Sequence, residues 1–154
     1  MSIVEAELPN VAPPAPSIRI RLAGPRDCDA LCALLDNPLH ASEQVMTWLA
    51  DPAITLLVAQ SEIGVLAVAV LVSRSVPKGE GSIYKVVEVD NLVVRADQRG
   101  RRIGRRLLAA AVEWSRQRRA VQVEVFIGDV NRDAKRFYEA FGFAAAADRL
   151  VLAA

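Results

Sequence analysis

Cysteine, histidine and aromatic residues are scarce in this chain of 154 residues, which has two cysteines, one histidine and 5% aromatic residues. Two cysteines are too few for a disulfide framework, and His40 has no second histidine with which to bind zinc. Cys28 and Cys32 stand one helical turn apart, and we expect them to pack in the core. The sequence therefore predicts no metal site.

Long hydrophobic runs are also missing from the sequence. The longest unbroken apolar run, residues 65–72, has eight residues, whereas a membrane-spanning helix needs about 20. No basic segment followed by an apolar core stands at the N-terminus, so we expect no secretory signal. Together with two thiols, these features predict a cytoplasmic protein with no membrane partner.

A strong excess of charge of one sign is absent as well, since the formal net charge is +1. The charge is unevenly distributed: residues 1–94 carry a balance of −5 and residues 95–154 a balance of +6. Uneven scatter of surface charge is one interpretation, and an anion site with a separate cation site is the other. The near-neutral charge and few aromatic residues argue against a nucleic-acid partner.

Hydrophobic periodicity predicts six strands and four helices in the order β-α-α-β-β-β-α-β-α-β. The predicted strands are residues 18–22, 54–60, 65–74, 82–94, 121–127 and 150–152, and the predicted helices are residues 27–36, 42–50, 103–119 and 131–141. This order predicts a mixed α/β domain around a single sheet. Residues 1–17, which contain four prolines, are predicted to be a flexible tail, and residues 18–154 a single domain.

One segment has the composition of an anion site. A predicted strand ending at Val94 is followed by a loop with Gly100 and then by a helix that begins near Ile103. The first turn of a helix offers unbonded N–H groups and the positive end of the helix dipole, which together favour phosphate groups. Five arginines could add charge-assisted hydrogen bonds: Arg99, Arg101, Arg102, Arg105 and Arg106. A tight turn followed by a solvated basic helix face is the alternative, and spacing alone does not decide.

Two motifs carry a resemblance to the GNAT superfamily of acyl-CoA-dependent N-acetyltransferases. Residues 99–104, Arg-Gly-Arg-Arg-Ile-Gly, resemble its motif Arg/Gln-x-x-Gly-x-Gly/Ala, with Arg102 where the family usually has its first glycine. Residues 131–143 resemble its motif Asn-x-x-Ala-x-x-Phe-Tyr-x-x-x-Gly-Phe. The motifs stand in the family's order, with a predicted strand between them. The resemblance covers about residues 18–152.

The resemblance implies a fold and a co-substrate. The fold is one mixed, mostly antiparallel sheet with helices on both faces, splayed at a bulge in the central strand, and acetyl-CoA lies in the opening without a metal. Backbone groups of the strand would hold the pantetheine and the acetyl carbonyl, the loop amides would hold the pyrophosphate, and a helix side chain would bond the pantetheine. The implied cofactor-binding residues are Leu92, Val93, Val94, Arg99, Gly100, Arg101, Arg102, Ile103, Gly104, Arg105, Asn131 and Tyr138.

Three residues are candidates for the chemistry. By the resemblance, Tyr138 lies beside the sulfur and could protonate the departing thiolate; the alternative is simple aromatic packing beside Phe137 and Phe141. Glu88 and Asp90 stand two apart on a predicted strand and should share a face. Either carboxylate could take the proton of the attacking amine, or both could only attract a cationic amine at the rim.

The function implied is an N-acetyltransferase that moves the acetyl group of acetyl-CoA to a primary amine of a small molecule or protein. The amine would attack directly in a ternary complex. The alternative is a catalytically inert acyl-CoA-binding or sensing module of the same fold. The acidic N-terminal half suits a cationic acceptor, and a homodimer through the C-terminal strand is one arrangement that the sequence allows.

Overall fold

A computed structural model describes residues 17–35, 41–126, 128, 131–146 and 148–154. The predicted flexible tail, except for Ser17, and the single histidine, His40, lie outside these ranges.

The described residues form seven strands and four helices, whose order agrees with the prediction except for one additional strand. The elements are β1 (Arg19–Leu22), α1 (Cys28–Leu35), α2 (Ala41–Ala50), β2 (Ile54–Ser61), β3 (Gly64–Pro77), β4 (Ile83–Val94), α3 (Ile103–Gln117), β5 (Ala120–Phe126), α4 (Arg132–Phe141), β6 (Ala144–Ala146) and β7 (Arg149–Ala153). The missed strand is β6, because three consecutive alanines show no alternation of polar and apolar residues. It pairs with β7, so tertiary contacts define it.

All strands belong to one sheet with the order β1-β2-β3-β4-β5-β7-β6. β4 and β5 run parallel, and the other neighbouring strands run antiparallel. The predicted mixed, mostly antiparallel sheet is confirmed. The last strand, β7, is paired with β5 along its length and with β6 through residues 149–151. The homodimer through the C-terminal strand stays a prediction.

Helices cover both faces of the sheet, as the resemblance implied. Along β2, Leu57 and Ala59 pack with α3 in one apolar cluster, whereas Leu56 and Val58 pack with α1 and α2 in a second cluster. Successive strand residues point to opposite faces, so the two clusters lie on opposite sides of the sheet. The α3 cluster continues to β4 and β5, and it anchors the start of α3 through the fully buried Ile103.

An ion pair ties the first strand to the segment that leads into α1. The two terminal nitrogens of Arg21 donate to the two carboxylate oxygens of Asp27, each at 2.8 Å, and the Gly24 N–H donates to the same carboxylate at 2.8 Å. Asp27 is only 8% exposed. The hydrogen bond from Arg21 is the main cause that lowers the pKa of Asp27, against the opposing effect of burial.

Replacement of Asp27 by asparagine should lower the free energy of unfolding at neutral pH by about 1.5–3 kcal/mol, the range for hydrogen bonds to charged groups. The folded chain has the lower pKa for Asp27. The contribution is therefore complete above the ordinary aspartate pKa of about 3.9, and it is lost as the pH falls through the folded value. Denaturant unfolding as a function of pH measures it.

The control is Glu62→Gln in an exposed turn, which should change stability by less than about 0.5 kcal/mol. A loss in Asp27→Asn that stays the same down to the lowest pH at which the chain folds would show that the ion pair is not its source.

Candidate active site

The central strand β4 changes its pairing at Asp90. On its β3 side the register passes from Leu71 opposite Val89 to Val70 opposite Asn91, so Asp90 is an extra residue and forms a β-bulge. On the other side, the ladder with β5 ends where Glu88 lies opposite Glu124. Within the described residues, the remainder of β4 has no strand partner on that side. Because antiparallel pairing uses only alternate residues, the remaining N–H and C=O groups of residues 89–94 face this opening.

The bulge also resets which side chains face the core. Val87 and Val89 pack in the α3 cluster before the bulge, and Leu92 and Val94 pack against it afterwards. The buried positions thus pass from odd to even numbers at Asp90. The spacing of two that put Glu88 and Asp90 on one face is interrupted by the bulge, and only Asp90 borders the opening.

The opening between β4 and β5 is a cleft of about 240 Å³ closed on one side by α4. It brings together four residues that the sequence singled out, namely Asp90, Leu92, Asn131 and Tyr138. It also contains residues that the sequence did not single out: Val89, Asn91, Val125, Phe126, Gly128, Ala134 and Lys135. Lys135 could have been found from the helical spacing, since it lies three residues before Tyr138 on α4.

Tyr138 is buried on the α4 wall of the cleft and is 7% exposed. Its ring packs edge-on against Phe137 at 5.1 Å and against Phe143 at 5.3 Å between ring centroids. Burial raises the pKa of Tyr138 to about 12. The hydroxyl group is therefore protonated at neutral pH and can donate a hydrogen bond to a group in the cleft. The aromatic packing considered for Tyr138 is also present, with Phe143 in place of Phe141 as the second partner.

The two candidate carboxylates have different surroundings. Glu88 lies 3.2 Å from Nη1 of Arg149 and 3.9 Å from Nε of Arg74, and both arginines also contact the buried Glu124. Asp90 lines the cleft, and its pKa is raised, first by partial burial and then by the negative charge of Glu88. A carboxylate with a raised pKa is a better proton acceptor than an ordinary aspartate. Of the two, only Asp90 lines this cleft, and its side chain is exposed to solvent there.

Asn131 begins α4 at the mouth of the cleft. Its side-chain oxygen accepts a hydrogen bond from the Ala134 N–H at 3.1 Å and so caps the helix. The oxygen is used in this cap, which leaves the side-chain NH₂ group as the part that could donate to a ligand.

The arginine-rich loop leads into the start of α3. Gly100 has φ +78°, and Arg102, which precedes the first helical residue, has φ +62° and a left-handed conformation. The first internal helical hydrogen bond runs from the Arg106 N–H to the Arg102 carbonyl at 3.1 Å. The N–H groups of residues 103–105 therefore point out of the end of the helix, and within the described chain no side chain caps them. This end has the geometry of an anion site.

A second cavity of about 350 Å³ lies at this helix end. Its lining includes most of the predicted loop residues together with Gln98 and two residues of α4: Val94, Gln98, Arg99, Gly100, Arg102, Ile103, Gly104, Arg105, Phe137 and Ala140. Arg101 is not part of the lining. Gln98 is 7% exposed, and this burial could not be expected from the sequence, because a glutamine in a polar loop is normally exposed.

The loop arginines form no ion pair with the described acidic residues, so their charges can interact with a ligand. The ion pairs found among the described residues use other arginines, namely Arg21, Arg74, Arg95, Arg116 and Arg149. The Arg105 guanidinium lies 5.3 Å from the centroid of the Phe141 ring, which orients it beside the cavity. The helix end and these side chains together make a positive cavity next to the neutral cleft.

Gly104 is where α3 comes close to β4 and α4. A methyl group at Gly104 would lie 3.4 Å from a methyl carbon of Val94, 3.5 Å from one of Leu92 and 3.6 Å from the Phe137 ring. Leu92 lines the cleft, whereas Val94 lines the positive cavity two residues further along β4. The two cavities therefore follow one strand and suit an elongated ligand with an anionic end.

Two kinds of feature, a group of metal ligands and a membrane-crossing helix, are absent from the described ranges. Among these residues, no three or more His, Cys, Asp or Glu side chains are grouped so as to hold a metal ion. In the same part of the chain, no helix has the length and apolar character needed to cross a membrane.

The family pattern of the "Acetyltransferase (GNAT) family" matches residues 29–143 of this chain. An uncharacterized N-acetyltransferase from Methanocaldococcus jannaschii is 37% identical over 59 residues, which are 38% of this chain and 26% of that protein. This match thus spans about a quarter of the length of the relative.

Three solved structures have the same fold. A tetramutant of the BH1408 protein from Bacillus halodurans superposes with a TM-score of 0.75 and 23% identity, over 82% of this chain and 94% of that one. The aminoglycoside N-acetyltransferase AAC(6')-Iy in complex with CoA superposes with a TM-score of 0.75 and 16% identity, over 88% of this chain and 93% of that one. A ribosomal-protein-alanine N-acetyltransferase from Brucella melitensis superposes with a TM-score of 0.68 and 23% identity, over 86% of this chain and 94% of that one. With the sequence pattern and the shared fold together, the chain belongs to the GNAT acetyltransferase family.

Proposed function

We propose that this chain is an N-acetyltransferase that transfers the acetyl group of acetyl-CoA to a primary amine of a small molecule or protein in a ternary complex. The observation that carries the proposal is the sequence of two cavities along β4, first a cleft with Asp90 and Tyr138 and then a positive cavity at the start of α3. The related aminoglycoside N-acetyltransferase was solved with CoA, which supports the same co-substrate here.

Each part of acetyl-CoA has a counterpart in the two cavities. The pyrophosphate suits the N–H groups at the start of α3 and the charges of Arg99 and Arg105. The pantetheine is a chain of amides, and it suits the unpaired backbone groups of β4 at residues 92–94, with the Asn131 NH₂ group on the opposite wall. The thioester then lies near Tyr138.

The transfer needs a proton acceptor, a stabilised oxyanion and a group that assists the thiolate. Asp90 takes the proton of the amine, directly or through water, and a main-chain N–H of β4 near Val94 stabilises the oxyanion. Tyr138 donates a hydrogen bond to the departing sulfur. Its pKa of about 12 exceeds that of an ordinary thiol, about 8.5, so hydrogen bonding is favoured over complete proton transfer.

A cationic amine is the acceptor class that the charges near the cleft favour. Asp90 and Glu88 are the nearest carboxylates, and Glu88 is partly neutralised by Arg149. Two relatives are named for acceptors of different size, an aminoglycoside and a ribosomal protein, so the proposal keeps both small molecules and proteins. It also includes the cytoplasmic location and the single domain at residues 18–154 that we expect from the sequence.

The competing proposal is a catalytically inert acyl-CoA-binding module. Release of free thiol from acetyl-CoA, followed over a panel of polyamines, aminoglycosides and amino-terminal peptides, separates the two. Amine-dependent thiol release with an acetylated product seen by mass spectrometry supports the enzyme. Binding without release with any amine would leave the inert module.

Acetyl-CoA should bind with a clear calorimetric isotherm, and a chelator should not change it. Removal of the guanidinium group in Arg99→Ala or Arg105→Ala should weaken binding by about 1–3 kcal/mol, the value of a charge-assisted hydrogen bond to phosphate. The matched control is Arg116→Ala near the opposite end of α3, which removes the same charge and should leave the Kd unchanged. If the two loop variants bind like the control, the phosphate site lies elsewhere.

Tyr138→Phe should lower kcat by about 10²–10³-fold, the loss seen when one donor that stabilises charge in the transition state is removed. Phenylalanine keeps the ring packing with Phe137 and Phe143, so folding and the Kd of acetyl-CoA should change little. The effect should be smaller for acyl donors with a more acidic thiol, because their thiolate needs less stabilisation. An unchanged kcat would make Tyr138 a packing residue, and an equal loss with every donor would indicate a role in positioning.

The pH profile of kcat/KM should contain an acidic limb set by Asp90, at a pH above that of an ordinary aspartate, since its pKa is raised. Glu88→Gln removes a negative neighbour. The pKa of Asp90 should therefore fall, and the acidic limb should move to lower pH. Asp90→Asn should remove the limb and lower the rate by about 10²–10⁴-fold. A limb that stays in place or moves upward in Glu88→Gln would contradict the assignment of Asp90 as the base.

A further inference from the structure

One lysine of the chain itself borders the candidate cleft. Lys135 lines the opening between β4 and β5 together with Asp90, Asn131 and Tyr138. It stands three residues before Tyr138 on α4, so the two side chains share a helix face. The proposed mechanism uses Asp90 and Tyr138 but gives Lys135 no role.

Little holds the Lys135 side chain in place. Its only ion pair within the described residues is with Glu139 at 3.8 Å, and both side chains are about half exposed, at 52% and 49%. An exposed i,i+4 pair of this kind contributes only about 0.3–0.5 kcal/mol. The ammonium group is therefore free to leave Glu139 and to enter the cleft that its stem already borders.

We propose that Lys135 is a self-acetylation site, at which the chain transfers an acetyl group from bound acetyl-CoA to its own ε-amine. This inference rests on the proposed binding of acetyl-CoA in the cleft. The amine is on the same molecule as the thioester, so its effective concentration is far above that of a free acceptor. In the absence of an acceptor, Lys135 is the competing nucleophile.

The groups that line the cleft can accept the proton of the amine and stabilise the departing sulfur. The Lys135 ammonium group loses a proton to the Asp90 carboxylate or through it to water. The neutral nitrogen then bonds to the carbonyl carbon of the thioester and gives up a second proton to water, and the carbon–sulfur bond breaks as the tetrahedral intermediate collapses. The sulfur leaves as a thiolate that accepts a hydrogen bond from Tyr138 and then a proton from solvent. The products are N-acetyl-Lys135, free CoA and one proton.

The lysine content of the chain gives the experiment matched controls, because Lys78, Lys85 and Lys135 are its three lysines. The purified full chain is incubated with acetyl-CoA and no amine acceptor. Intact mass spectrometry counts the acetyl groups, and peptide mapping places them. We expect one acetyl group on Lys135, formed at a rate that does not depend on the protein concentration. Lys135→Arg should remove it, whereas Lys78→Arg and Lys85→Arg should not.

Tyr138→Phe separates catalysed transfer from simple chemical acetylation. It should slow acetylation of Lys135 by the factor seen with external amines, about 10²–10³-fold, and leave any slow acetylation of Lys78 unchanged. Equal labelling of the three lysines, or a Lys135 rate that Tyr138→Phe does not change, would overturn the inference. Binding and turnover of acetyl-CoA without modified Lys135 would overturn this inference alone. Absence of acetyl-CoA binding would overturn the proposed function as well.

Discussion

The rest of the site depends on a single extra residue in β4. Strand β4 has a bulge at Asp90. Strand β3 stays paired with it beyond the bulge, whereas the ladder with β5 ends at Glu88. An unpaired row of backbone groups in a sheet interior is costly unless something satisfies it. In this protein that row of backbone groups borders a cleft, so the groups are available to form hydrogen bonds with a ligand. The same bulge moves Leu92 and Val94 to the core face, which keeps the strand anchored beyond the opening.

The distribution of charge follows from which arginines have partners. Glu88 on β4 and Glu124 on β5 lie between Arg74 on β3 and Arg149 on β7, and these ion pairs are partly buried. The arginines at the start of α3 are exposed, and they add to the partial positive charge of the helix end. An anion entering that cavity therefore meets charge that no carboxylate among the described residues neutralises. The cleft at the other end of the groove is close to neutral, because its described lining has one carboxylate, Asp90, and one ammonium-bearing side chain, Lys135.

Much of the fold could be predicted because its strands and helices have clear periodicity. The alternation in β1 and β5, the unbroken apolar run of β3 and the apolar stripe of α3 identified those elements, whereas the alanine strand β6 gave no signal. The two cavities follow segments that the motifs had identified, residues 89–104 and 131–143. The resemblance implied a bulge in the central strand, but its position at Asp90 is visible only in the register with β3, since an inserted residue only changes the parity of the buried positions. The ion pairs of Glu88 and the burial of Gln98 depend on strands and loops distant in sequence, so no local pattern could indicate them.

Arg102 shows how stability and ligand binding oppose each other at the loop. It occupies a left-handed conformation with φ +62°, which costs an ordinary residue roughly 1–2 kcal/mol and glycine almost nothing. Glycine is the residue that the GNAT motif usually has at this position. The chain therefore keeps a conformation suited to glycine while carrying an arginine side chain beside the positive cavity. The backbone N–H groups of residues 103–105 point out of the helix end beside this cavity, and the side chain adds a charge that glycine could not supply. The strain is thus the cost of placing one more cation where the proposed pyrophosphate would bind.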